Sequence, residues 1–328
     1  MTLAGQQHGP KSAVVASPRG FCAGVSYAID IVNLVLEHHG PPVYVRHEIV
    51  HNRHVCDDLR SRGAIFIDDV AEVPEGSLLI FSAHGVSPKV RREANERKLE
   101  VIDATCPLVT KVHLEARRFA SENYDILLIG HRGHVEVEGT LGQASERMQL
   151  VETVADVAGV NVRDPERVAV VTQTTLSVDD THNIVEAIRQ RFPAVHTPGK
   201  DDICYATQNR QEAVKALAAD CELVLVMGSP TSSNANRLVE VARNAGSGAW
   251  LIESASDIDA TWLEGADNVG LTAGASTPES LVREAVAHLE SLGCTAVTEL
   301  ETARERVTFA LPRELRRLEP AAGLTDID

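Results

Sequence analysis

Aromatic residues make up only 4% of the 328 residues, and 31 Lys and Arg face 47 Asp and Glu. The formal charge of −16 at pH 7 argues against nucleic acid as the principal partner, because phosphate backbones call for a concentrated basic surface. Long apolar runs are also missing. No segment approaches the ~20 apolar residues of a membrane span, and the opening MTLAGQQHGPKS lacks the apolar stretch of a secretory signal. A soluble, cytoplasmic chain with no membrane partner is expected. Cysteine is scarce too, at six residues, which argues against a disulfide scaffold in a chain this long. What is present is 44% hydrophobic residues, enough for a buried core in two or three domains.

Three of the six cysteines share a local setting. Cys22 (PRGFCAGV), Cys106 (DATCPLV) and Cys204 (DDICYAT) each follow an extended or turn-like stretch and open a segment of helical periodicity. Their spacings of 84 and 98 residues are too long for a local zinc knuckle and suggest a threefold repeat of α/β units, each delivering one thiolate to a common centre. Cys56, Cys221 and Cys294 lack this context and read as small buried hydrophobes.

After each cysteine come a helix, an apolar strand and a polar loop. The first loops carry His51, His134 and Asn234, which lie 29, 28 and 30 residues beyond their cysteines. A second strand and loop follow in each unit, bearing His84, Thr174 and Ser276 at 62, 68 and 72 residues. The strands are nearly continuous apolar runs, as in parallel sheets covered on both faces. The expectation is an α/β fold of three similar units with small parallel sheets, spanning residues 12–105, 106–203 and 204–300 and followed by a tail over 301–328. Ligands bind at the carboxyl ends of parallel strands, so a pseudo-threefold arrangement would aim all these loops at one cavity. Helix starts at Ser87-Pro88, Ser177-Val-Asp-Asp180 and Thr277-Pro278-Glu279 adjoin the second loops, and each reads as a capped N-terminus suited to phosphate.

Three thiolates leave a tetrahedral zinc site incomplete. A cubane iron–sulfur cluster takes one ligand per iron, so three cysteines leave one iron open as a Lewis acid. The loop set of His51, His84, His134, Ser232, Ser233, Asn234 and Ser276 is rich in donors, and Lys and Arg are nearly absent from these loops apart from Arg132 and Arg237. That set suits a diphosphate. Glu136 is the carboxylate best placed for proton transfer, and Glu138 reads as its surface neighbour. His47-Glu48-Ile49-Val50-His51 matches H-E-x-x-H literally. It closes a segment with strand alternation, though, which sets its two histidines about 13 Å apart and removes the zinc-peptidase reading.

The motifs PRGFCAGV, EIVHN, SAHGVSP, DATCPLV, GHVEVEGT, TQTTLSVDD, KDDICYATQNRQEAV, SSNANRL and TAGAS resemble those of the LytB/IspH family, the 4-hydroxy-3-methylbut-2-enyl diphosphate reductases. The resemblance runs from about Arg19 to Ser276 and on toward an expected tail strand, RVTFALP. It implies a cloverleaf of three α/β units around one [4Fe–4S] cluster ligated by Cys22, Cys106 and Cys204. It also implies that His51, His84, Ser232, Ser233, Asn234 and Ser276 hold the substrate diphosphate, with His134 beside them. Thr174 would contact the substrate hydroxyl and Glu136 would deliver protons. The implied reaction is reductive loss of an allylic hydroxyl, giving isopentenyl and dimethylallyl diphosphates in the last step of the non-mevalonate pathway. Reduced ferredoxin or flavodoxin would supply the electrons, with Arg91, Arg92, Arg97 and Lys98 as candidates for a basic docking patch. One departure stands out: Val135 occupies the family's proline position, which removes a fixed φ. Two other readings use the same residues, a zinc enzyme with Cys and His ligands and a diphosphate-binding protein without catalysis. Met1–Pro10 and Glu319–Asp328 match no motif, and both are expected to be disordered.

Overall fold

The structure, a computed structural model, describes residues 10–197, 202–313 and 315–316; the remaining residues, both termini among them, lie outside it. The chain runs β1 (Ser12–Ser17), α1 (Ala23–His39), β2 (Val43–Arg46), α2 (Arg53–Ser61), β3 (Ala64–Ile67), β4 (Leu78–Phe81), α3 (Pro88–Glu96) and β5 (Glu100–Asp103). It continues through α4 (Pro107–Ser121), β6 (Asp125–Ile129), α5 (Val135–Leu141), β7 (Met148–Val151), β8 (Val168–Thr172) and α6 (Val178–Arg191). The last part comprises α7 (Tyr205–Asp220), β9 (Leu223–Met227), α8 (Ser233–Asn244), β10 (Gly248–Ile252), β11 (Asn268–Ala273), α9 (Glu279–Ser291) and β12 (Ala296–Glu301).

These strands form three parallel sheets, in the orders β3-β2-β4-β5, β7-β6-β8 and β10-β9-β11-β1-β12. The apolar runs follow from burial on both faces. In β9, Leu223, Leu225 and Met227 join a core with α9, while Val224 and Val226 turn to α7 and α8. In β6, Leu127 and Ile129 pack toward α6, and Ile126 and Leu128 pack toward α4. No helix of the described residues is long and apolar enough to cross a membrane.

The sheets share one strand order. An outer strand, the first strand after a cysteine helix and the second strand are followed by a feeder that leads into the next cysteine. β5 feeds Cys106 and β1 feeds Cys22. The middle sheet has only a single parallel bridge in this position, Ala169 to His196. Ser12–Ser17, which the sequence assigns to the first unit, is therefore hydrogen-bonded between β11 and β12. The described chain accordingly divides into two compact units. One comprises the residues up to Cys22 with Tyr205–Arg306, and the other Ala23–Cys204 with the described residues from Val307 on.

Two local expectations need correction. RVTFALP is not a strand; the sheet edge is taken by β12, in register with β1 from Ser12–Ala296 to Ser17–Glu301. Phe309 instead packs edge-on against Tyr27, with ring centroids 6.3 Å apart. The strand leading to His51 ends at Arg46, because His47 adopts a φ of 59°, a left-handed conformation that breaks extended pairing. HEIVH is thus neither helix nor strand.

Candidate functional site

Each of the three cysteines directly precedes a helix, α1, α4 or α7. Each also donates its backbone N–H to the carbonyl two residues beyond the end of a second strand. Cys22 bonds to Ala275 at 3.1 Å, Cys106 to Ala83 at 3.0 Å and Cys204 to Thr174 at 3.1 Å. All three side chains are partly exposed, whereas Cys56, Cys221 and Cys294 are buried. Burial pushes the Cys56 and Cys221 thiols up to about 11, so they remain inert apolar filler.

The larger unit gathers the histidines at strand carboxyl ends. The His51 loop is tied to the His84 loop by Ala83 N–H donating to Ile49 O at 3.1 Å. Gly85 permits this turn: its φ is 78°, and an added Cβ would come within 2.6 Å of the His113 ring. Ring centroids lie 4.1 Å apart for His51 and His84, 5.2 Å for His51 and His134, and 6.1 Å for His84 and His134. Burial first, then the neighbouring imidazoles, holds His84 well below the usual histidine range and His134 at about 3. Both rings are neutral near pH 7 and can only donate or accept hydrogen bonds there.

Glu136 lies in the first turn of α5 and is 3% exposed. It accepts hydrogen bonds from Thr174 N at 2.7 Å and Thr174 Oγ1 at 3.0 Å. Burial raises its pKa to about 7; the Thr174 bonds oppose the shift, and the negative charge of Asp202 adds to it. Val135 is helical at the start of α5, so the proline position accepts valine with the His134 cap intact: His134 Nδ1 accepts from Glu136 N at 3.2 Å. Glu138 is exposed, as expected.

The smaller unit places Cys22, Ser232, Ser233, Asn234 and Ser276 at the carboxyl ends of β1, β9 and β11. Ser232 caps α8, accepting from Ala235 N at 3.3 Å. Asn234 bridges Thr207 Oγ1 at 3.3 Å and Ala275 N at 2.9 Å, which fixes the loop that holds Cys22 N–H. Arg210 is fully buried on α7 and binds Gly20 O at 2.7 Å and Glu305 Oε1 at 2.9 Å.

Several local readings are refined. Ser87 caps α3 with Pro88 at its first position, as expected. Ser177 accepts from Asp180 N at 3.2 Å. At α9 the proline is itself the cap residue, and no side chain caps this end. Arg132 and Arg237 are paired with Glu152 and Glu240, and Arg91 is paired with Asp103, while Arg92 and Lys98 are exposed. Sequence reasoning missed Asp202, whose side chain is buried between Lys111 Nζ at 3.1 Å and Thr172 N at 3.2 Å. Its only sequence signal was a second acidic residue before Ile203-Cys204. Among the described residues no group of three or more His, Cys, Asp or Glu side chains is placed to hold a single metal ion.

A family model described as LytB protein matches residues 13–290. Over 307 residues the chain is 58% identical to a 4-hydroxy-3-methylbut-2-enyl diphosphate reductase of Mycolicibacterium paratuberculosis, covering 93% of this chain and 92% of that one. It is 56% identical over 308 residues to the enzyme of the same name from Neisseria meningitidis serogroup C, covering 94% and 96%. A solved E-1-hydroxy-2-methyl-but-2-enyl-4-diphosphate reductase from Plasmodium falciparum superposes with a TM-score of 0.91 at 42% identity, covering 94% of this chain and 98% of that one. With this extent of agreement in sequence and fold, the chain is a reductase and belongs to the LytB family.

Proposed function

We propose that this chain removes the allylic hydroxyl of (E)-4-hydroxy-3-methylbut-2-enyl diphosphate. Two electrons and two protons are consumed, and isopentenyl or dimethylallyl diphosphate and water are released, as the last step of the non-mevalonate pathway in the cytoplasm. The carrying observation is the buried Glu136–Thr174 pair. A carboxyl with a pKa of about 7 that binds a threonine hydroxyl at 3.0 Å is suited to proton delivery at neutral pH and is not needed merely to grip phosphate. In the forward direction the C–O bond breaks and the departing oxygen takes a proton through Thr174 Oγ1, which is resupplied by Glu136. A second proton ends on one of two allylic carbons and sets the product.

His51, His84, Ser232, Ser233, Asn234 and Ser276 hold the diphosphate, with His134 beside them. Neutral His134 accepts at Nδ1 from a backbone N–H, so its proton sits on Nε2, free to donate toward substrate. Helix N-termini behind these loops favour the anion.

Cys22, Cys106 and Cys204 ligate one [4Fe–4S] cluster. The donor set fits: three partly exposed thiols at helix starts in one repeated backbone setting, where helix ends stabilise anionic ligands. A cubane takes one thiolate per iron, so its ligands need not converge on a single point as those of a lone ion must. When bound, the cluster supplies electrons and an open Lewis-acidic iron for the hydroxyl. Reduced ferredoxin or flavodoxin is the electron donor.

Iron and acid-labile sulfide are measured per chain on anaerobically prepared protein, followed by turnover of the hydroxylated diphosphate. About four of each per chain with product formation is the expected result. Zinc without sulfide after reconstitution, or substrate binding without reductive turnover, would overturn the proposal.

A further inference from the structure

The three clustered imidazoles are each anchored at Nδ1 by a different chemical partner. His134 Nδ1 accepts from Glu136 N at 3.2 Å, His84 Nδ1 meets the hydroxyl of Ser82 at 3.1 Å, and His51 Nδ1 meets the carboxylate of Glu48 at 3.1 Å. Anchoring every ring at Nδ1 leaves Nε2 as the atom presented to a ligand. Of these three anchors only Glu48 carries a charge, and an ionised carboxylate accepts but cannot donate. His51 therefore donates from Nδ1, and a proton on its Nε2 makes it a cation that donates from both nitrogens. The backbone around the pair is fixed: His47 N donates to Ile67 O at 2.7 Å, Ile49 O accepts from Ala83 N, and Asn52 caps α2 by accepting from Val55 N at 3.1 Å. The Glu48 and His51 side chains therefore meet across one short, pinned turn. This also gives HEIVH a role that is neither helix nor zinc site.

We propose that Glu48 is a positioning residue for diphosphate binding. It aligns the His51 ring and lets His51, when protonated at Nε2, meet the diphosphate as a two-fold N–H donor. The inference rests on the reading of His51 as a diphosphate ligand and deepens it. Charge-assisted hydrogen bonds of this kind correspond to roughly 10- to 100-fold in affinity.

The test is a double-mutant cycle read by the binding of inorganic pyrophosphate to the anaerobic holoenzyme, with turnover kinetics in parallel. The proposal expects Glu48→Ala and His51→Ala each to weaken binding and the double variant to bind no worse than His51→Ala, because Glu48 acts through His51. KM should rise more than kcat falls in Glu48→Ala, and Glu48→Gln, which keeps an acceptor without the charge, should recover part of the loss. Should Glu48→Ala fail to fold, the same cycle is run with Glu48→Gln. Wild-type affinity in both Glu48 variants, or additive losses in the double variant, would overturn the inference while leaving the diphosphate reading in place. Unchanged binding in His51→Ala would instead remove the reading on which it rests.

Discussion

The middle sheet and its two counterparts deliver their cysteines differently. In the four- and five-stranded sheets a full feeder strand runs alongside, and the residue two before the cysteine bonds by backbone to the end of the neighbouring strand. Ala104 N donates to Phe81 O at 3.0 Å, and Gly20 N donates to Ala273 O at 3.3 Å. In the middle sheet the feeder shrinks to one bridge at His196. There the residue two before Cys204 is Asp202, and its side chain accepts the strand-end Thr172 N–H. A carboxylate held by Lys111 thus stands where the other sheets use main chain. The segments that follow strands of the same sheet carry Glu136 and Thr174, so the repeat is least regular where the proposed proton chemistry sits. Regular ladders are robust to side-chain change, whereas a side-chain substitute can be removed by a single mutation.

The largest effect is expected at the chemistry. Glu136→Gln should lower kcat by about 10²- to 10⁴-fold with iron content and substrate affinity preserved; near-wild-type turnover would dissociate the carboxyl from proton delivery. Asp202→Ala strips the side-chain support from the Cys204 feeder and strands a buried N–H. It should cost about 1–3 kcal/mol of stability, seen in denaturant melts, together with faster iron loss. Asp202→Asn, which keeps an acceptor, should cost less, and equal losses in the two variants would count against the substitution of side chain for backbone. Gly20→Ala attacks the backbone version of the same joint. With φ at 62° and an added Cβ 3.0 Å from Thr277 O, it should cost about 1–2 kcal/mol and disturb the Cys22 loop rather than Cys204. The smallest effect is on pH. The Glu136 proton is present below its raised pKa of about 7 and is lost above it, so turnover should fall about threefold between pH 6.5 and 7.5. A profile flat across that interval in the wild type would contradict a carboxyl acid.

The repeat was legible because its physics is local. Strands such as Leu223–Met227, buried on both faces, must be apolar throughout, and a helix following each cysteine leaves its periodicity in the sequence. His51, His84 and His134 could be grouped because equivalent strand ends carry equivalent offsets. The partner of β1 was not legible. Nothing in SAVVAS distinguishes pairing with a nearby strand from pairing with one at Asn268–Ala273, and only the cyclic strand order decides it. Asp202 escaped for a related reason: its value lies in a missing strand, and absences of backbone pairing leave no periodic signal. The turn at His47 was hidden because a positive φ in a non-glycine residue leaves no periodic or compositional signal.

The pairing of β1 with β11 also sets an order of events in time. Ser12 meets Asn268, 256 residues later, and the carbonyls that receive Gly20 and Cys22 belong to Ala273 and Ala275. A ribosome therefore releases the first cysteine loop long before the residues that shape it exist. Both sheets of the larger unit can form while synthesis continues, but the Cys22 loop cannot. The backbone setting of Cys22 is therefore complete only once β11 and the loop after it have been synthesised.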